Sequence, residues 1–175
     1  MAPNSPYRGF TLVELLIVIA VIGLLAMIAI VSLGSSRARS RDTKRASDLA
    51  QIKKALDLSY EPGSGYPLAG APIVIGTATT DVLCERAGAT GFKPDQTPAN
   101  CDANRVFMGL VPANPSPGGT SYMYQSTDAL GASCATAPCN GYCLQATLES
   151  GVGSSGLSAG AIIATQSGLR NGTCL

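Results

Sequence analysis

From residue 15 to residue 33 the chain has no charged side chain, and a single carboxylate, Glu14, stands at the head of that run. The run is about 19 positions long, close to what a hydrocarbon core of roughly 30 Å demands of a helix. It also accounts for the composition. Of the 175 residues 46% are hydrophobic and only 13% are charged, against about a quarter charged in an average soluble domain. Outside the run the chain is polar and rich in Gly and Pro.

Residues 10–60 contain no proline and read as one long helix, which at 1.5 Å per residue would extend for about 76 Å. Its first half is apolar all round. In its second half Ala46, Leu49, Ile52, Leu56 and Tyr60 recur at helical spacing, with Arg45, Asp48, Lys53, Lys54 and Asp57 expected on other faces. Pro62 and Gly63 stop it. The amphipathic half has a domain of its own chain to pack on. The apolar half has none, and needs lipid or copies of itself. Gly23 and Gly34 interrupt it, and they read either as sites of close helix packing or as a segment that can locally unwind. A basic block follows the apolar run, with seven basic and two acidic residues between Arg37 and Lys54. It reads as a solvated face with i,i+4 pairs, Lys44 with Asp48 and Lys53 with Asp57. The competing reading is attachment to anionic lipid.

Beyond Glu61, turn residues punctuate short strand candidates. Residues 121–126 and 142–149 alternate well enough to pair antiparallel, 157–165 forms a third strand, and 106–111 reads as a short helix or turn. All six cysteines lie here: Cys84, Cys101, Cys134, Cys139, Cys143 and Cys174. An even count, with no histidine in the chain, reads as disulfides formed in an oxidising compartment rather than a zinc site built on Cys139 and Cys143. Cys84 with Cys101 closes one loop. The other four supply two bonds, with Cys134–Cys143 and Cys143–Cys174 both reachable. The missing histidine excludes a His-based triad, no P-loop is present, and a net charge of +1 gives no basis for a nucleic-acid partner. The chain is not expected to be an enzyme.

Glu14 is the odd residue, because a carboxylate beside a membrane-spanning run is costly without a cationic partner. Chain cleavage after Gly9 would create one, the α-amine of Phe10, about one helical turn away. The stretch G-F-T-L-V-E-L-L-I-V-I-A-V-I-G, residues 9–23, resembles the class III signal of type IV pilins and of type II secretion pseudopilins. Gly65-Tyr66-Pro67 is similar to the G-Y-P that follows the long helix in major pseudopilins and short pilins.

The resemblance implies a leader over 1–9, cut by a prepilin peptidase between Gly9 and Phe10, and N-methylation of Phe10. It implies a charge pair between Glu14 and a neighbour's Phe10 amine, and helix flexibility beginning at Gly23. Many members have a proline near the end of that stretch, where this chain has Val31. The expected organisation is a membrane and filament-core helix at 10–33, an amphipathic helix at 34–61 and a β-rich domain at 62–175. The expected fold is α+β, a long N-terminal α-helix on a small antiparallel β-sheet clamped by disulfides.

The implied function is a subunit of a helical homo-oligomeric filament, held in the membrane as a precursor and worked on by assembly machinery. The alternatives are a periplasmic pseudopilin, or a membrane-anchored binding module or enzyme. DNA would be a partner only indirectly, through an uptake pilus. No cofactor is required; calcium is the one left open, with oxygen ligands from Asp128 or Glu149.

Overall fold

The computed structural model describes residues 9–174. The chain forms two compact units, one ending at Arg37 and the other beginning at Ala38. Helix α1 spans Leu12–Ser59 and is continuous through Gly23 and Gly34. Eight strands follow: β1 Ile73–Val74, β2 Val82–Arg86, β3 Ala89–Lys93, β4 Val106–Met108, β5 Met123–Thr127, β6 Gly141–Val152, β7 Leu157–Thr165 and β8 Gly168–Asn171. They make two antiparallel sheets, ordered β1-β5-β6-β7-β8 and β3-β2-β4. The fold is α+β.

Strand periodicity sets the core of the second unit. Along β6, alternate residues Tyr142, Leu144, Ala146 and Leu148 are buried, and they join Ile162 and Ala164 of β7 in one cluster with Leu49, Ile52 and Leu56 of α1. The helical stripe at 49, 52 and 56 therefore packs on the sheet. Two positions on α1 differ from the sequence reading. Arg45 and Asp48 are buried rather than solvated, because the inward face of the helix continues in polar residues before its apolar part begins. Tyr60, expected in the stripe, is 40% exposed.

The second sheet goes beyond the single sheet expected. Its hairpin β2–β3 turns on Ala87 and Gly88, at φ 53° and 80°, the left-handed pair of a type I′ turn. Residues 106–111 are not a helix: Val106–Met108 pairs with β2.

Three disulfides hold the loops: Cys84–Cys101, Cys134–Cys139 and Cys143–Cys174. The last closes a span of 31 residues and ties the C-terminal tail across β6. Replacing Cys143 and Cys174 together by serine is expected to lower stability by about 3–4 kcal/mol, against about 2 for the pair five residues apart, since loop-closure entropy grows with loop length. Urea unfolding of the detergent-solubilised chain, followed by circular dichroism, measures both. Equal losses would contradict the ordering.

Candidate functional site: the head of the helix and its anchor

At the head of α1 the order Thr11-Leu12-Val13-Glu14 forms a capping box. The Glu14 amide donates to Thr11 Oγ1 at 3.2 Å, and Glu14 Oε2 accepts from the Thr11 amide and the Thr11 hydroxyl, each at 2.9 Å. Two of the free amides that every helix start leaves are thereby satisfied, and the carboxylate sits at the positive end of the helix dipole. Sequence reasoning took Glu14 as a charge lacking a partner and missed Thr11. The signal was present in the T-x-x-E spacing. Among the described residues Glu14 Oε1 has no hydrogen-bond partner, so one carboxylate oxygen remains available. Phe10 is 88% exposed, and a Cβ on Gly9 would meet nothing within 4 Å. The expected leader lies, up to residue 8, outside the described residues.

The large apolar side chains described between Leu12 and Leu33 are 49–79% exposed. The helix is long and apolar enough to cross a membrane. An apolar surface of this extent marks a lipid-facing or subunit-facing element. A Cβ at Gly23 or at Gly34 would touch nothing, so no intrachain packing demands glycine at either position.

The second unit holds its part of α1 through ionic groups. Strand β6 carries a bulge. Leu148 pairs with Gly160 and Gly151 with Ser158, so Glu149 and Ser150 are left without partners on β7. Their freed amides turn to the helix. Asp42, fully buried, accepts from the amides of Glu149, Ser150 and Gly151 at 2.9, 2.6 and 2.9 Å, and from Arg45 Nη1 at 2.7 Å. Burial alone would raise the Asp42 pKa, but the three amides and Arg45 outweigh it and hold the pKa below the usual aspartate value.

Arg45 is also fully buried and uses all three nitrogens. It donates to Asp42, to Glu149 Oε1 at 2.7 Å, to Asn114 Oδ1 at 2.7 Å, and to the carbonyls of Pro115 and Gly118. Arg41 adds a fork onto the two Glu149 oxygens at 2.8 and 2.5 Å. Hydrogen bonds from Arg41, then from Arg45, pull the Glu149 pKa down to about 2. None of this was visible in the sequence, where Asp42 and Arg45 look like any i,i+3 surface pair.

Further along α1, Tyr122 donates to Asp48 at 2.8 Å and Tyr142 to Asp57 at 3.0 Å. The pairs Lys44–Asp48 and Lys53–Asp57 are both formed. Gly65 has φ +75°, and a Cβ there would lie 2.4 Å from the Cys139 carbonyl oxygen, so the chain can pass the Cys134–Cys139 loop only as glycine. Tyr66 then stands edge-on to Tyr142, with ring centroids 4.7 Å apart, and the Pro67 carbonyl accepts from the Tyr124 hydroxyl at 2.6 Å. Gly65-Tyr66-Pro67 is thus the lock between helix end and sheet.

A cation at Glu149 would have to displace two guanidinium groups. Asp128 spends Oδ1 on the amides of Leu130 and Ala132. Cys139 and Cys143 belong to different disulfides and form no joint metal site.

The family described as the prokaryotic N-terminal methylation motif matches residues 4–30. The type IV major fimbrial protein FimA of Dichelobacter nodosus is 36% identical over 98 residues, covering 53% of this chain and 60% of that protein. The type II secretion system core protein G of Escherichia coli (strain K12) is 33% identical over 67 residues, 38% of this chain and 46% of that protein. The type IV major pilin protein PilA of Myxococcus xanthus (strain DK1622) is 31% identical over 110 residues, 63% of this chain and 47% of that protein. The chain spans about half the length of these relatives. No solved structure matches it.

Proposed function

Because the chain belongs to the superfamily of type IV pilins and type II secretion pseudopilins, we propose that it is the structural subunit of an extracellular pilus-like filament, inserted in the membrane as a precursor and assembled through α1. The observation that carries this reading is the exposed apolar half of α1 with Glu14 capped at its head and one carboxylate oxygen free. The steps are structural rather than catalytic. A prepilin peptidase cuts between Gly9 and Phe10, and Phe10 is N-methylated. The new amine meets Glu14 of a neighbouring copy. Residues 15–33 then exchange lipid for a core of identical helices. That exchange is between two apolar environments, so packing and the charge pair carry the net preference. Assembly machinery in the membrane performs the extraction.

A second reading, a periplasmic pseudopilus subunit, is favoured by the similarity to the secretion core protein G and by Gly65-Tyr66-Pro67. Immunogold electron microscopy of the fraction sheared from producing cells separates the readings. Surface filaments decorated along their length are expected. Label confined to the envelope, with no filaments, would favour the pseudopilus.

A further inference from the structure

Among the described residues the most exposed large hydrophobic side chain is Leu130, at 95%. It stands at the tip of a small, apolar turn, Ala129-Leu130-Gly131-Ala132, which is closed by hydrogen bonds. Asp128 Oδ1 accepts from the Leu130 and Ala132 amides at 2.8 and 2.9 Å, the Asp128 amide donates to the Ala132 carbonyl at 2.8 Å, and Thr127 bridges to Ser133. A pre-ordered apolar knob loses little conformational entropy when it docks.

The same unit carries a hole. Between α1 and the β6–β7 turn lies a groove of about 480 Å³, its apolar lining drawn from Ala46, Ala50, Val152, Leu157 and Leu169. No charged side chain lines it; Thr43, Ser47, Ser154 and Ser155 complete the wall.

Knob and hole lie at opposite ends of the unit. Tyr142 meets Asp57 while Glu149 meets Asp42, so β6 runs antiparallel to α1. The β5–β6 turn bearing Leu130 therefore sits at the Asp57 end. The groove sits around Ala46, about 16 Å back along the helix. A knob at one end and a hole at the other let each copy offer its knob to the next and its hole to the one before, a head-to-tail contact of the kind that propagates as an open helical filament, whereas a reciprocal two-fold pairing would stop at a dimer.

We infer that Leu130 of one copy inserts into the Ala46–Ala50–Val152–Leu157 groove of another copy, forming an intersubunit contact between the sheet-bearing units. The contact rests on the filament reading, and it adds to the α1 core a second point that sets subunit spacing.

The test uses the full chain in producing cells. Leu130→Cys combined with Ala50→Cys, oxidised in sheared filaments, is expected to give a ladder of multimers on a non-reducing gel, with a 130–50 linked peptide by mass spectrometry. Each single substitution gives monomers. A fully exposed tip tolerates polarity, so Leu130→Asp is expected to leave the membrane pool of folded precursor unchanged and lower filament yield about tenfold or more. Wild-type filament yield from Leu130→Asp, or intact doubly substituted filaments without the ladder, would overturn the contact and leave the filament reading standing. Dimers from Leu130→Cys alone would mean a symmetric contact and would also overturn it. Absence of filaments from the unsubstituted chain would remove the filament reading, and the contact with it.

Discussion

Asp42→Ala is expected to lower the unfolding free energy by about 3–5 kcal/mol, the range for breaking a buried ion pair by removing one partner. The substitution strands the amides of Glu149 and Ser150, which the bulge in β6 has already taken away from β7, and that of Gly151 beside them. It also takes one acceptor from Arg45, a guanidinium with no solvent exposure. Each buried donor left unsatisfied costs about 1–3 kcal/mol, and partial relaxation keeps the total below the sum. Asp42→Asn retains the shape but turns an amide NH₂ towards donors, so it is expected to recover little. Lys44→Ala removes an exposed partner from Asp48 and is expected to cost a few tenths of a kcal/mol.

The same groups set the acid limb. Asp42 and Glu149 both have pKa values lowered by folding. A lowered carboxylate pKa contributes stability that is fully present above the unfolded value and is lost as pH falls through the folded one. For Glu149 that loss runs from the ordinary glutamate range down through about 2. Asp42→Ala should therefore flatten the decline of stability below pH 5. Urea midpoints of the detergent-solubilised chain at pH 7 and across the acid range measure both effects. A loss under about 1 kcal/mol at pH 7 would show that water replaces the carboxylate at little cost.

Glu14→Ala is expected to abolish incorporation into filaments while membrane insertion continues. The capping box makes the interpretation sharper than the sequence alone allowed. Alanine removes the reciprocal half of the cap, worth about 1 kcal/mol. That is too little to unfold a helix with so long an apolar surface. Glu14→Gln separates cap from charge, because glutamine still accepts from the Thr11 amide but carries no charge. If Glu14 acts through an ion pair with a neighbour's Phe10 amine, both variants lose filaments and both stay in the membrane. Filaments from Glu14→Gln at the wild-type level would reduce Glu14 to a helix cap. Quantifying the chain in sheared and membrane fractions reads the outcome.

The long-range periodic signals in the sequence translated into structure closely. A helix expected at 10–60 is observed as Leu12–Ser59, and strands expected at 121–126, 142–149 and 157–165 are β5, β6 and β7 with the antiparallel pairing anticipated for the first two. These segments are read from local spacing, and their burial follows from it. The β2–β3 hairpin stayed hidden because its turn is Ala87-Gly88 rather than Asn-Gly or Asp-Gly, and because Gly91 interrupts β3.

The ionic anchor stayed hidden for a different reason. Asp42 and Glu149 are 107 residues apart, and only the bulge in β6 brings the amides to the carboxylate. No local pattern announces a buried Asp–Arg pair, since buried and solvated i,i+3 pairs share the same spacing. At the head of the helix the reverse holds. The oddity of Glu14 was evident from its place beside the apolar run, and its local partner, Thr11, stood three residues before it.

Processing and assembly at the head of α1 are tested most directly by mass spectrometry of the N-terminal peptide from filaments sheared off producing cells. An abundant peptide that begins at N-methylated Phe10 is expected. A peptide retaining the residues up to Gly9, from a chain held in membranes and absent from the sheared fraction, would contradict both processing and assembly.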